Sequence, residues 1–335
     1  MSQYIAPQPL KPLKPWLSYE AQLAQLRERG LQVEDDAAAL NYLARLGYYR
    51  LSGYWYPMRE VDQQASAQQG KAVRSDSFVP GSRFQSVVQL YVFDKKLRLL
   101  ALDALERIEM AVRVDVAHVL GKRDPLGHLK PECLHGGFTK TVQKKGPAAG
   151  KTLHQVWLAK YENLLSRPQT RKQTFVQHHL QQYGELPVWA AVEVWDFGLL
   201  SWMFAGLQYE DQQTIAHRYG AVDGKAFGQW LRSLNMIRNV AAHHARLWNL
   251  NVLELSPLPA GWPVQLKPAR PFFYFCLMQH LLCRICPNST WGERLMQLLR
   301  DDFPQTTQGV LDLADFGLYP RWEGDLLWRR SQSHK

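Results

Sequence analysis

From Phe84 to Leu120 apolar residues return at three- and four-residue intervals: Val88, Tyr91 or Val92, Leu99, Leu102, Leu105 or Ile108, and Val112. That interval lines up one face of an α-helix, and a stretch this long predicts two helices or one bent one. The same period recurs elsewhere. Leu23 and Leu26 follow a capping Ser18 and stop at Gly30; Leu40, Leu43 and Leu46 follow Asp35 and Asp36. It resumes over residues 186–207, 225–250 and 290–299, with neither an internal repeat nor convincing parallel-sheet alternation. The expected fold class is all-α: a helical bundle preceded by a small N-terminal helical unit. With 335 residues, 46% of them apolar, the chain can bury an ample core.

Three regions are expected. Residues 1–75 hold a proline-rich leader (Pro7, Pro9, Pro12, Pro15) and the helical unit; residues 76–250 form the bundle; residues 251–335 form a helical extension. Residues 61–76, rich in Gln, Ser and Gly, read as a polar linker or mobile loop. The positive charge is uneven. Residues 122–185 hold eleven Lys or Arg against four Asp or Glu, so +7 of the chain's +10 lies in what reads as a basic insertion. Such an excess suits a polyanionic partner, nucleic acid ahead of an acidic membrane surface. Within it, Lys140, Lys144, Lys145 and Lys151 are candidates for nonspecific, salt-sensitive phosphate contacts, in loop-like surroundings of Gly, Pro and Ala.

Met1 to Lys14 lacks the apolar core of a signal peptide, so a cytoplasmic location is expected. Phe272 to Cys283 is apolar but too short to span a bilayer, which takes roughly 20 residues, and reads as a buried helix. Four cysteines do not make a disulfide framework in a chain of this size. Cys276, His280 and Cys283 fall at helical spacing, with Cys286 beyond them; one continuous helix cannot wrap four ligands round a zinc ion, so packed thiols are expected and no metal or other cofactor.

The chemistry-bearing segment is Arg238-Asn239-Val240-Ala241-Ala242-His243-His244, continued by Ala245-Arg246-Leu247-Trp248-Asn249. Arginine is a permanent cation with a planar fork for phosphate, and histidine titrates nearest neutrality. On a helix over 227–250 the apolar stripe is Phe227, Trp230, Leu234, Ile237, Ala241, His244 and Trp248, whereas Arg232, Asn239, His243 and Arg246 form the polar one. His243 is the preferred catalyst. His244 is either a hydrogen-bonded core histidine or an assisting group, and Arg238 and Arg246 are either phosphate ligands or ordinary solvated or ion-paired arginines. Arg238 and His243 lie about 140° apart around the axis. A flexible arginine stem, a local helix end or a second copy of the chain could close that gap.

These residues resemble the signature of the Abi-2 family, the AbiD/AbiF-type bacterial abortive-infection proteins. Matching blocks follow in order: Lys14 to Ser18, Arg29-Gly30-Leu31, Tyr48 to Trp55, Leu90 to Arg98, Glu106 to Glu109, and Leu186 to Val194 with Phe197, Gly198, Leu200 and Ser201. The resemblance spans about residues 14–250. It implies the HEPN superfamily, helical bundles that include metal-independent ribonucleases acting as dimers through an Arg-x4-6-His motif. Arg238, Asn239 and His243 fall on that motif, and a homodimer with a composite active site is the implied assembly.

The mechanism expected is RNA cleavage by the ribose 2′-hydroxyl. His243 moves a proton, Arg238 holds the phosphate, Asn239 orients one or the other, and His244 assists. Glu106 and Glu109 are either supports for Arg238 or, with Arg113, an ordinary surface pair. Tyr49, Arg50 and Trp55 either bind RNA by stacking and phosphate contact or close the N-terminal core. The competing readings are a non-catalytic module holding a structured small RNA and a DNA-binding regulator.

Overall fold

Short polar caps decide where the first helices start. In this computed structural model, which describes residues 13–306 and 309–329, Ser18 Oγ accepts the N–H of Ala21 at 3.2 Å to open α1 (Tyr19–Glu28). Asp35 Oδ1 accepts the N–H of Ala38 at 2.9 Å to open α2 (Asp36–Leu46). Gly30, at φ +94°, lets the chain turn out of α1, a conformation that only glycine takes without strain. The leader prolines Pro7, Pro9 and Pro12 lie outside the described residues.

Two compact units result: Met1–Val92 with Pro304–Leu311, and Phe93–Phe303 with Asp312–Lys335. The break therefore falls after Val92 rather than near residue 75, and there is none at residue 250.

In the first unit α1 and α2 pack with α3 (Tyr48–Trp55) around Leu23, Leu26, Leu43, Leu51, Tyr54 and Trp55. The segment read as a linker is ordered. A short antiparallel ribbon pairs β1 (Arg59–Val61) with β2 (Arg74–Phe78), and α4 (Gln63–Gln69) lies between them. Ser66 Oγ accepts the N–H of Val73 at 2.8 Å, and Asp62 caps α4. Backbone and short polar side chains hold this piece, so it leaves no apolar period to be read.

α5 is one uninterrupted α-helix, Phe84–Arg123, where the periodicity also allowed two. The second unit is built from its later part with α6 (Gly136–Thr139), α7 (Leu153–Ser166), α8 (Pro168–Arg171), α9 (Thr174–Tyr183), α10 (Val188–Ala191), α11 (Phe197–Gly206), α12 (Tyr209–Arg218), α13 (Gly224–Ala242), α14 (Pro271–Ile285), α15 (Trp291–Asp301) and α16 (Leu326–Arg329). The fold is all-α, with the β1–β2 ribbon as the only sheet among the described residues.

α14 is buried at every position from Pro271 to Leu282, which is where a helix apolar on all sides must go. It carries the buried Cys276, and the His280 imidazole meets the carbonyl of Tyr219 at 3.1 Å. α15 lies against α5, the indole N–H of Trp291 donating to the carbonyl of Leu100 at 2.8 Å. The segment after residue 250 thus supplies core to this unit. Among the described residues no helix is long and apolar enough to cross a membrane.

Residues 122–185 are not an appended insertion either. Thr152 and Gln155 close a capping box at the start of α7, and Trp157 and Tyr161 on its inner face are buried against Trp195, with ring centroids 5.1 and 6.5 Å away. α7 contacts α11 and α6. Most of the basic side chains lie outside that helix, at the end of α5, in the connections before α7 and around α8.

The same core holds a histidine at a cost. His128 is wholly buried among Trp157, Tyr161 and Trp195, and neither ring nitrogen has a hydrogen-bond partner among the described residues. Burial, with a contribution from the nearby His154, pushes its pKa down to about 3. The unfolded chain, with His128 near 6.5, therefore binds the proton first as the pH falls. Stability from this residue is complete above about pH 6.5 and is lost progressively toward pH 3, by about 2 kcal/mol at pH 5. His154, also lowered by burial, adds to the loss in the same direction. Urea unfolding at pH 7 and pH 5 should show a smaller acid loss in His128→Leu than in the parent; equal losses would remove His128 as the cause.

Candidate active site

α13 starts behind Asp223, whose Oδ1 accepts the N–H of Ala226 at 2.7 Å. Phe227, Trp230, Leu231, Leu234, Ile237 and Ala241 are buried along its inner face. The helix ends at Ala242, not Leu250. His243 still donates its N–H to the Asn239 carbonyl at 3.0 Å, but His244 turns left-handed at φ +57°. His244 N–H then reaches the Ala241 carbonyl at 3.2 Å, and Ala245 N–H the Val240 carbonyl at 3.0 Å, which makes a Schellman turn.

Glycine is the usual occupant of that position, since a side chain in left-handed backbone costs about 1–2 kcal/mol. His244 is accordingly exposed at the turn and does not continue the apolar stripe; His243 beside it is exposed as well. Arg246, half-buried, follows the turn.

The next residues are tied down by an acid that sequence reading gave no role. Asp94 is wholly buried, and its Oδ1 accepts the N–H groups of Leu247 at 3.0 Å and Trp248 at 2.7 Å. Arg98, one turn along α5, forms an ion pair with Asp94 and donates to the Ala245 carbonyl at 3.4 Å. Trp248, buried in the loop rather than on a helix, packs 6.0 Å from Phe303. The segment leaving the His243-His244 turn is thus anchored at the carbonyl of residue 245 and the amides of residues 247 and 248.

One turn before the histidines α13 faces an open groove of about 680 Å³. Asn235, Arg238 and Asn239 line it at i, i+3 and i+4. α7 contributes Val156, Ala159, Lys160, Asn163 and Leu164, again one helical face, with Arg167 just past its end, and Asp196, Gly198, Leu199 and Trp202 close it from the start of α11. The Arg238 guanidinium donates to Asn239 Oδ1 at 3.2 Å. Lys160 Nζ rests 4.4 Å from the centroid of the Trp202 ring.

Among the described residues none of Lys160, Arg167 and Arg238 forms an ion pair, although many arginines of this unit do, including Arg98, Arg107, Arg113, Arg123, Arg218, Arg232 and Arg294. Among the described residues Asp196 is the one acidic side chain that lines the groove, and its Oδ1 caps α11 by accepting the N–H of Leu199 at 2.7 Å.

The structure brings Arg238 and Asn239 into this groove and leaves His243 and His244 at the helix end, outside its lining. Glu109 is held by Arg113 at 2.5 Å, while Arg113 also donates to the Trp195 carbonyl at 2.6 Å; the i, i+4 pair is realised, and Glu109 is not a partner of Arg238. Glu106 is exposed.

In the first unit Tyr49 is 92% exposed and Arg50 exposed on α3, but Trp55 is wholly buried with Tyr48 against it at 4.9 Å. Trp55 is therefore core and not a stacking surface, because residues 48 and 55 share the inward face of a short helix. Lys140 is exposed just after α6. Lys144, Lys145 and Lys151 are exposed on a loop that the Val142–Thr152 bridge closes. None of these four lines the groove.

Lys160 and Arg167 were visible only as part of a charge excess, and Trp202 and Asn235 not at all. The signal for the first two was the i, i+3, i+7 spacing of Lys160, Asn163 and Arg167, which has meaning only once α13 is known to lie opposite.

The family model described as Abi-like protein matches residues 41–249. No curated protein and no solved structure matches the chain. The matched stretch includes Asp94, the whole groove and the Arg238 to Asn249 segment. Such membership implies a part in abortive infection, a defence against phage. With well over half of its length matched, the chain belongs to the Abi-like protein family.

Proposed function

We propose that this protein is an antiphage endoribonuclease of the HEPN type, cutting RNA with its own 2′-hydroxyl as nucleophile. The observation that carries the reading is Arg238: a guanidinium that no carboxylate among the described residues neutralises, aimed into a cationic groove, on the helix that ends in two exposed histidines. A permanent cation without a counter-charge is suited to an anion that arrives from outside.

The 2′-oxygen attacks the adjacent phosphorus as its proton passes to a base, and the 5′-oxygen leaves with a proton from an acid. The products are a 2′,3′-cyclic phosphate and a 5′-hydroxyl. His243 serves as the general acid or base. Arg238 binds the non-bridging oxygens, whose charge grows in the transition state. Asn239, hydrogen-bonded to Arg238, fixes the direction of the guanidinium.

His244 supports the same reading, since a residue kept in left-handed backbone against a cost of about 1–2 kcal/mol is a residue kept for its side chain. His243 stays helical enough to preserve the angle of about 140° from Arg238. A site shared by two copies, Arg238 of one and His243 of the other, meets that geometry.

A single 2′-deoxyribose at the cut position should abolish cleavage there while neighbouring sites are still cut. Products of an unmodified strand, analysed by mass, should carry cyclic phosphate. Cleavage that persists at the deoxy position, or a 5′-phosphate product, would sink this chemistry.

A further inference from the structure

The charge in the groove extends beyond Arg238, and the three helices that build it leave an aromatic face beside it. We propose that Lys160, Arg167 and Trp202 form a subsite for single-stranded RNA next to Arg238, with Lys160 and Arg167 on successive backbone phosphates and Trp202 as a stacking surface for one base. The inference rests on the RNA-cleaving reading above and adds to it where the strand runs.

Four observations support it. First, Lys160 on α7 and Arg167, the residue just past its C-terminal end, are seven residues apart, and the helix rises about 10 Å over such a span, so a strand touching both meets them at different phosphates. Second, neither is paired with a carboxylate among the described residues, and neither is needed to hold α7, whose inner face is fixed by Trp157 and Tyr161.

Third, Lys160 lies over the half-buried Trp202 ring at 4.4 Å. That contact holds the ammonium at the groove wall and covers the ring face that a base would use. An arriving strand exchanges it for a phosphate contact and a base–indole stack, both available without moving the backbone. Fourth, Gly198 presents no side chain at the groove wall: a Cβ there would stand 3.2 Å from Asp196 Oδ1 and 3.4 Å from Asn235 Nδ2. The asparagines Asn163 and Asn235 offer neutral donors and acceptors between the cations. A planar ring beside phosphate ligands selects an unpaired base, because in a duplex the base faces are already stacked.

The test measures binding apart from cutting. A fluorescein-labelled 12-nucleotide strand, 2′-O-methylated at every ribose so that it cannot be cleaved by its own hydroxyl, is titrated with the full-length protein by anisotropy over a range of salt. Lys160→Gln and Arg167→Gln are exposed substitutions that leave the fold intact. Each should weaken binding and lower the slope of log Kd against log salt by about 0.7. Trp202→Ala should weaken binding about 5- to 150-fold. Lys144→Gln with Lys145→Gln, outside the groove, should have a smaller effect than either groove lysine or arginine change.

Groove variants that bind within twofold of the parent overturn the subsite, and so does a duplex of the same sequence that competes as well as the single strand. The two readings fail separately. If the parent leaves unmodified RNA uncut while the groove variants lose binding, the subsite stands and the nuclease falls; if cutting is retained and binding unchanged in the groove variants, the subsite falls and the nuclease stands.

Discussion

Replacing His243 by alanine should lower the rate of RNA cleavage by about 10²- to 10⁴-fold, the usual contribution of a positioned general acid or base. His243 is exposed at the end of α13, so its loss removes no core contact, and the unfolding midpoint should stay where it was. Arg238→Ala should cost about 10²- to 10³-fold through lost stabilisation of charge in the transition state, again with an intact fold. The pair also tests the shared site. If each centre joins Arg238 of one copy to His243 of another, mixing the two inactive variants assembles heterodimers with one intact centre of two. Activity should then recover to about a quarter of the parent's, as twofold symmetry and random exchange require. A parental rate in His243→Ala removes that residue from the chemistry; two inactive variants that exchange subunits and stay inactive place the site within one chain.

Asp94→Asn should be among the most destabilising single-atom-scale changes in the protein, at about 3–5 kcal/mol. The asparagine keeps an acceptor for the Leu247 and Trp248 amides but removes the charge beside Arg98, and that guanidinium is only 5% exposed. A buried cation deprived of the Asp94 carboxylate is what makes the change costly, more than the hydrogen bonds. Adding Arg98→Met should therefore recover most of the loss, since it removes the buried cation that the neutral asparagine no longer balances and leaves the asparagine on the Leu247 and Trp248 amides. Urea denaturation of the two singles and the double closes the cycle. A cost below about 1 kcal/mol for Asp94→Asn would mean that water reaches the pair or that Arg98 finds another acceptor.

The helices were legible in the sequence because burial follows the 3.6-residue period. α1, α2, α5, α14 and α15 all lie where apolar spacing and capping residues put them. The β1–β2 ribbon with α4 was not legible, since it buries only Phe78 among its strand residues and is held by hydrogen bonds that leave no apolar pattern. Nor was the end of α13: a Schellman turn is normally announced by glycine, and here a histidine stands in that place. The sequence leaves Trp55 open between stacking surface and core for a related reason. An aromatic cluster reads the same whether its rings face solvent or core, and only the orientation of α3 separates Tyr49 from Trp55.

The sequence by itself determined the helical class, the family, and the residue types of the candidate chemistry, because each depends on spacing along one chain. Tertiary structure alone decided which cations matter. Lys160, Arg167 and Arg238 come together across two helices separated by more than fifty residues, and Asp94 reaches a loop more than 150 residues away. Local periodicity tells which side of a helix faces inward, but not which other helix it will face. That choice is made when the apolar faces pack, and the groove is what their polar edges leave open.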